Sequence, residues 1–175
     1  LHAAQLTRLI QKEAYLAGAK KVYVEWSDDE LNRNYYTYAT EETLCEVPDW
    51  SIDKLKYLVE NNACRISIDS RNPYAMMGVD MTKVMKANRA IGPKMNFFRN
   101  HYSSSKSQWT IVAYPNDEWC KTVFPTLPLE EAWDKLFDAI MYTSRVSLEN
   151  DIVVDWNKHT KTLEAHSKVM NDYNF

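Results

Sequence analysis

Residues 107–128 read SQWTIVAYPNDEWCKTVFPTLP. The run Gln108 to Tyr114 is apolar and β-prone, and Pro115 ends it because proline lacks the amide a sheet ladder needs. Next, NDEWCKTVF predicts a short helix capped by Asn116 or Asp117, since a side-chain oxygen there satisfies an orphan helical amide. A strand that turns directly into a helix is half of a βα unit.

Outward from this unit the pattern recurs. Lys21–Trp26 alternates, with Val22, Val24 and Trp26 on one face, and predicts a half-buried strand. Ser27-Asp28-Asp29-Glu30 reads as a capping box, Ser27 accepting from the Glu30 amide, with a helix through Leu31 and Tyr35 behind it. VPDWSIDKLKYLVENNA predicts a helix whose apolar side is Ile52, Leu55, Leu58 and Val59. CRISID predicts a strand with Cys64, Ile66 and Ile68 facing inward, and Asn72-Pro73 breaks it. A long helix is expected from Asp80 to about Tyr102, kinked or broken at Gly92-Pro93. Downstream, Leu129, Trp133, Leu136, Phe137 and Ile140 form an amphipathic stripe, and a last helix runs from Asp151 to Asn171. The chain opens inside a helical pattern (Leu6, Leu9, Ile10, Glu13, Leu16) that Gly18 stops. That opening has no capping residue, so residues before Leu1 are expected to be missing. Short strands separated by helices predict an α/β class: a single domain over 1–175, a short, mostly parallel sheet flanked by helices, and a long C-terminal helix.

Composition narrows the partners. A chain of 175 residues is long enough to bury roughly 70% of its unfolded surface. Hydrophobic residues at 45% and charged residues at 26% match an ordinary globular protein. With 21 basic against 24 acidic side chains, interspersed, there is no basic footprint for nucleic acid. No run nears the roughly 20 apolar residues that span a bilayer, and no basic-then-apolar leader precedes the first helix, so no membrane partner is expected. Cys45, Cys64 and Cys120 are odd in number, widely spaced and free of C-x-x-C, hence read as reduced thiols. Together with the lack of an N-x-[ST] sequon, this agrees with a cytoplasmic address.

Catalytic motifs are sparse. The three glycines, Gly18, Gly78 and Gly92, form no phosphate-cradling loop, and neither H-E-x-x-H nor G-x-S-x-G occurs. His159 and His166 lie seven apart, not at the i, i+3 or i, i+4 spacing of a helical metal pair, and lysines crowd them, so a solvated helix face is the reading. Asp28, Asp29 and Glu30 are assigned to capping, with Asp28 or Asp29 the possible exception, since a cap needs one acid. Trp109, alternating with Ile111 and Ala113, is read as core. Tyr114 and Trp119 flank the turn after a strand's carboxyl end, where open α/β sheets bind ligands, so they are read equally as core or as a substrate-cleft surface. Taken alone, the residues describe a domain without a catalytic constellation, and a free-standing ligand-binding or protein-interaction domain fits them.

Four motifs in order carry a resemblance across nearly the whole chain: A-G-A-x-x-V-x-V-E-W-S-D-D from Ala17, W-T-x-x-A-Y-P from Trp109, V-F-P from Val123 and W-x-x-H from Trp156. The chain resembles the N-terminal domain of the aminopeptidase T/aminopeptidase S family of thermophilic-type metallo-aminopeptidases. The resemblance implies a longer two-domain cytoplasmic homodimer that removes N-terminal residues from peptides. It also implies two divalent metal ions, zinc or cobalt, that activate a bridging water. Their ligands would lie in a C-terminal domain beyond Phe175, leaving no catalytic, cofactor or metal residue in this chain, and a first strand would precede Leu1. These 175 residues, inactive alone, would then supply part of the cleft wall and of the dimer, with Tyr114, Trp119 and Asp28 as candidate cleft residues. Asn116-Asp117 departs from the Thr-Pro that often follows Tyr-Pro in that family, keeping a capping residue and losing a proline.

Overall fold

A computed structural model describes residues 3–173. They form α1 (Ala4–Leu16), α2 (Asp29–Tyr38), α3 (Glu41–Cys45), α4 (Asp49–Glu60), β1 (Arg65–Asp69), α5 (Met81–Ser103), β2 (Trp109–Ala113), α6 (Asp117–Val123), α7 (Leu129–Thr143) and α8 (Ile152–Asp172). The class is α/β, with a small parallel sheet among many helices and a long helix at the C-terminal end. Contacts group into two compact units, Leu1–Trp119 and Cys120–Phe175.

In the first unit, α1 ends where Gly18 adopts φ +95°. The Gly18 amide donates to Tyr15 O and the Ala19 amide to Ala14 O, both at 3.0 Å, closing the carbonyls that a helix end leaves open. Among the described residues no side chain caps the start of α1. The cap of α2 is Asp28, which accepts from the Leu31 amide at 2.9 Å. Ser27, expected to cap, instead accepts from the Asn32 side chain. The register moves by one because the shorter-reaching hydroxyl is replaced by a carboxylate, which also complements the helix dipole. The sequence reading passed over α3, although Thr40 caps it and Glu41 and Glu42 follow in its first turn.

Strands β1 and β2 pair in parallel, Arg65 opposite Trp109 through Asp69 opposite Ala113. Helix α5 lies in the crossover, continuous from Met81 to Ser103 with Pro93 inside it and no break. Both α3 and α4 pack on α5. Leu44 of α3 and Val84, Ala87 and Tyr102 of α5 are buried. Lys83 donates to the Ala39 carbonyl, and Lys86 reaches Glu41 at 3.0 Å. The Tyr102 hydroxyl donates to Ala63 O at 2.8 Å, just before β1, and burial pushes its phenol up from the ordinary range. Helix α4 carries its half-buried stripe at Ile52, Leu55, Leu58 and Val59, as the periodicity predicts.

Three expectations are corrected. Lys21–Trp26 is not a strand. The Val22 amide goes to the Tyr15 hydroxyl, Tyr23 meets the Tyr57 ring edge-on, and Glu25 pairs with Lys54. Alternation requires only an extended backbone; a strand also requires a partner ladder, and the sheet of described residues has two members. Trp109 is not core, being 50% exposed, with Ile111 beside it at 61%. Cys64, just before β1, is exposed and Ile66 is 49% exposed, leaving Ile68 as the half-buried member of that face.

In the second unit, Ala132 and Leu136 of α7 are buried, with Trp133 and Ile140 half-buried. This is the expected stripe, except that Phe137 and Leu129 stand at its exposed margin. Helix α8 begins at Asp151, whose carboxylate accepts from the Val153 and Val154 amides. Trp156 ties it to the end of α7 through an indole donation to Ser144 O at 3.1 Å.

Candidate functional site

Parallel strands direct their carboxyl ends to one side, and loops leaving that side are where α/β sheets place ligands. Here the loops after β1 and β2 are stapled together. The ladder extends by one bond, Tyr114 N–H to Asp69 O at 2.9 Å. Ser70 Oγ donates to Pro115 O at 3.2 Å. Asn116, 2% exposed, gives its amide to Ser70 O at 3.0 Å and Arg71 O at 2.9 Å, while its Oδ1 accepts from the Trp119 amide at 2.9 Å. One buried side chain thus caps α6 and fixes the β1 loop. The expectation that Asn116 or Asp117 caps that helix resolves on Asn116.

Outside this staple, charge is arranged along the rim. Arg71 grips Asp69, Nε to Oδ1 at 2.8 Å with a second bond from Nη2, and this fork holds the Asp69 carboxyl below its ordinary range against the opposing effect of burial. From α2, Asp29 Oδ2 accepts the Asn72 amide at 2.8 Å. The groove between has a volume of about 370 Å³ and is lined by Asp29, Glu30, Arg33, Asn34, Asn72 and Tyr74. Its carboxylates and amides can receive an ammonium or the N–H and C=O groups of an extended peptide.

The sequence-named candidates divide. Tyr114 and Trp119 stand half-buried at the start and end of the Asn116 turn. Asp28 spends its carboxylate on the α2 cap, and its neighbour Asp29 faces the groove. Sequence reasoning missed Asn72, Arg71 and the bridging role of Asn116. A signal existed for the last, since an asparagine after Tyr-Pro at a helix start can cap with its oxygen and still donate its amide. In the second unit a groove of about 390 Å³ lies between the end of α7 and α8, with Arg145, Asp155, Lys158 and His159 among its lining residues. Among the described residues no three His, Cys, Asp or Glu side chains come together as a metal site would require. The family's metal ions therefore find no fitting ligand set in these residues.

The family profile described as "Thermophilic metalloprotease (M29)" matches residues 1–175. The chain is 36% identical to "Aminopeptidase PepS" of Streptococcus thermophilus, covering 98% of this chain and 42% of that protein. It is 35% identical to "Aminopeptidase AmpS" of Bacillus subtilis, covering 93% of this chain and 39% of that protein. The solved structure "Wild-type AmpT from Thermus thermophilus" superposes with a TM-score of 0.79 at 28% identity, over 93% of this chain and 39% of that one. The chain spans about two-fifths of the length of the curated relatives it matches.

Proposed function

This chain belongs to the thermophilic metalloprotease family M29, and from that premise we propose that it is the noncatalytic N-terminal domain of a two-domain, dinuclear-metal aminopeptidase. The observation that carries the reading is a family match across all 175 residues with relatives more than twice as long. In this reading the catalytic metals, zinc or cobalt, are held by a domain outside these residues, and the enzyme is a cytoplasmic homodimer acting on peptides. A first strand supplied from before Leu1 belongs to the same reading. The present domain forms part of the cleft wall and limits access to short peptides. Its contribution would come from the carboxyl end of the sheet, where the groove beside Asp29 and Asn72 offers polar groups and Tyr114 and Trp119 offer aromatic surface.

The test compares two proteins from one reading frame. These 175 residues should leave aminoacyl arylamides intact, whereas the longer product should hydrolyse them only after divalent metal is supplied. Metal-independent hydrolysis by the shorter chain, abolished by a substitution within it, would overturn the assignment. Tyr114→Ala or Trp119→Ala in the longer protein should lower kcat/KM and shift the preferred peptide length; unchanged values would remove those residues from the cleft.

A further inference from the structure

One chain of hydrogen bonds runs from the aromatic turn to the groove. The Trp119 amide donates to Asn116 Oδ1 at 2.9 Å, and Asn116 Nδ2 donates to Ser70 O at 3.0 Å and to Arg71 O at 2.9 Å. Two carbonyls require the nitrogen and one amide requires the oxygen, so these partners fix which way the Asn116 side chain is turned. The Arg71 carbonyl belongs to the same peptide unit as the Asn72 amide, and that amide donates to Asp29 Oδ2 at 2.8 Å. A peptide unit is planar, and in the trans form found here its C=O and N–H point to opposite sides. The Arg71–Asn72 peptide is therefore clamped twice, by Asn116 at its oxygen and by Asp29 at its nitrogen.

Planarity makes the two clamps interdependent. Turning the plane to lose the Asn116 bond also turns the Asn72 N–H away from Asp29. Polarisation acts in the same sense, since a carbonyl that accepts a hydrogen bond makes the N–H of its own unit a stronger donor. Asn116 is 2% exposed, so water does not readily take over its bonds. On the groove side, Asp29, Asn72 and Tyr74 line one surface, and Asn72 Oδ1 accepts the Tyr74 amide at 2.8 Å. The setting of one peptide plane thus governs both a carboxylate and a loop of the groove.

We propose, on the reading of this groove as part of a peptidase cleft, that Asn116 is a positioning residue for peptide binding. Through the Arg71–Asn72 peptide it holds the Asp29 carboxylate at the groove, and through the Trp119 amide it fixes the aromatic turn. Asp29 then receives an N–H or ammonium group of a bound peptide at a set distance from the aromatic surface. Among short peptides, those that reach both are favoured.

Asn116→Asp tests the clamp, because it keeps the side chain's shape and the oxygen that caps α6 and removes both donors. In hydrogen exchange the Asn72 amide should lose about tenfold in protection although its own acceptor is untouched, while the Trp119 amide keeps its protection. In the longer, metal-loaded product the same substitution should raise KM for tetra-alanine about tenfold with kcat within about twofold, and raise KM much less for an aminoacyl arylamide. Added to Asp29→Ala, it should raise the tetra-alanine KM by less than about twofold, because the group it positions is gone. A readout without a variant at Asn116 is the metal-free longer product titrated with tetra-alanine, in which the Asn72 and Trp119 amide resonances should shift along one binding curve. An Asn72 amide as protected in Asn116→Asp as in wild type would overturn the clamp. Equal KM changes for both substrates, full additivity with Asp29→Ala, or amide resonances indifferent to tetra-alanine would overturn the positioning role while hydrolysis of the arylamide still upheld the peptidase reading. A longer product without metal-dependent hydrolysis would overturn that reading and the positioning role with it.

Discussion

At its carboxyl end the β1–β2 sheet runs into Pro115 and Asn116, both enclosed, whereas at its amino end Trp109 stands half in solvent. The two regions are a few residues apart on one chain and have opposite compositions. The closed end is held by a polar side chain, and the open face carries the large hydrophobic ones. The difference teaches that burial in this unit follows hydrogen-bond demand at the turn more than apolarity along the strand. Loop carbonyls taken from water must find donors, and one asparagine supplies two. The strand's ladder is complete toward β2 and asks nothing of Trp109.

The largest effect that would break this contrast is at Asn116. Asn116→Ala removes the α6 cap and strands two carbonyls and one amide, at an expected cost of about 3 kcal/mol, read by urea denaturation. A loss below about 1 kcal/mol would mean that water replaces the staple without difficulty. At the amino end Tyr102 is an enclosed anchor, and Tyr102→Phe should cost about 1 kcal/mol by leaving Ala63 O without its donor. Trp109→Ala should cost under about 1 kcal/mol, far from the roughly 3–5 kcal/mol of a core tryptophan. A core-sized loss there would show that the exposed face is covered in solution.

The smallest effect sharpens the rim. Because Arg71 holds the Asp69 carboxyl low, the folded pKa lies below the unfolded one. The pair's stabilisation is then present above the ordinary carboxylate pKa of about 4 and lost as pH falls through the folded value. Asp69→Asn should lower the neutral plateau of a Tm-against-pH profile slightly, leave its acid end nearly unchanged, and so flatten the acid limb. A limb as steep as wild type would assign the acid sensitivity to other carboxylates.

Much of the fold was legible in the sequence because it rests on bonds between residues five or fewer apart. Gly18 stops α1, Asp151 caps α8, the stripe of α4 lies where its period places it, and Asn116 was one of two named caps. Even the error at Ser27 was a slip of one residue between neighbouring caps. The fold class and family were likewise readable, since strand-turn-helix punctuation and motif order are linear properties. Of the candidate site, Tyr114 and Trp119 were named for their place after a strand, while Asn72 and Arg71 were not named. Their contacts to Asp29 and Asn116 span 43 and 45 residues of chain. Tertiary structure alone decided that Lys21–Trp26 joins no ladder among the described residues and that Trp109 is exposed. Extended geometry is a property of the segment that adopts it; pairing and burial belong to whatever distant segment arrives beside it, and a local pattern carries no record of that arrival.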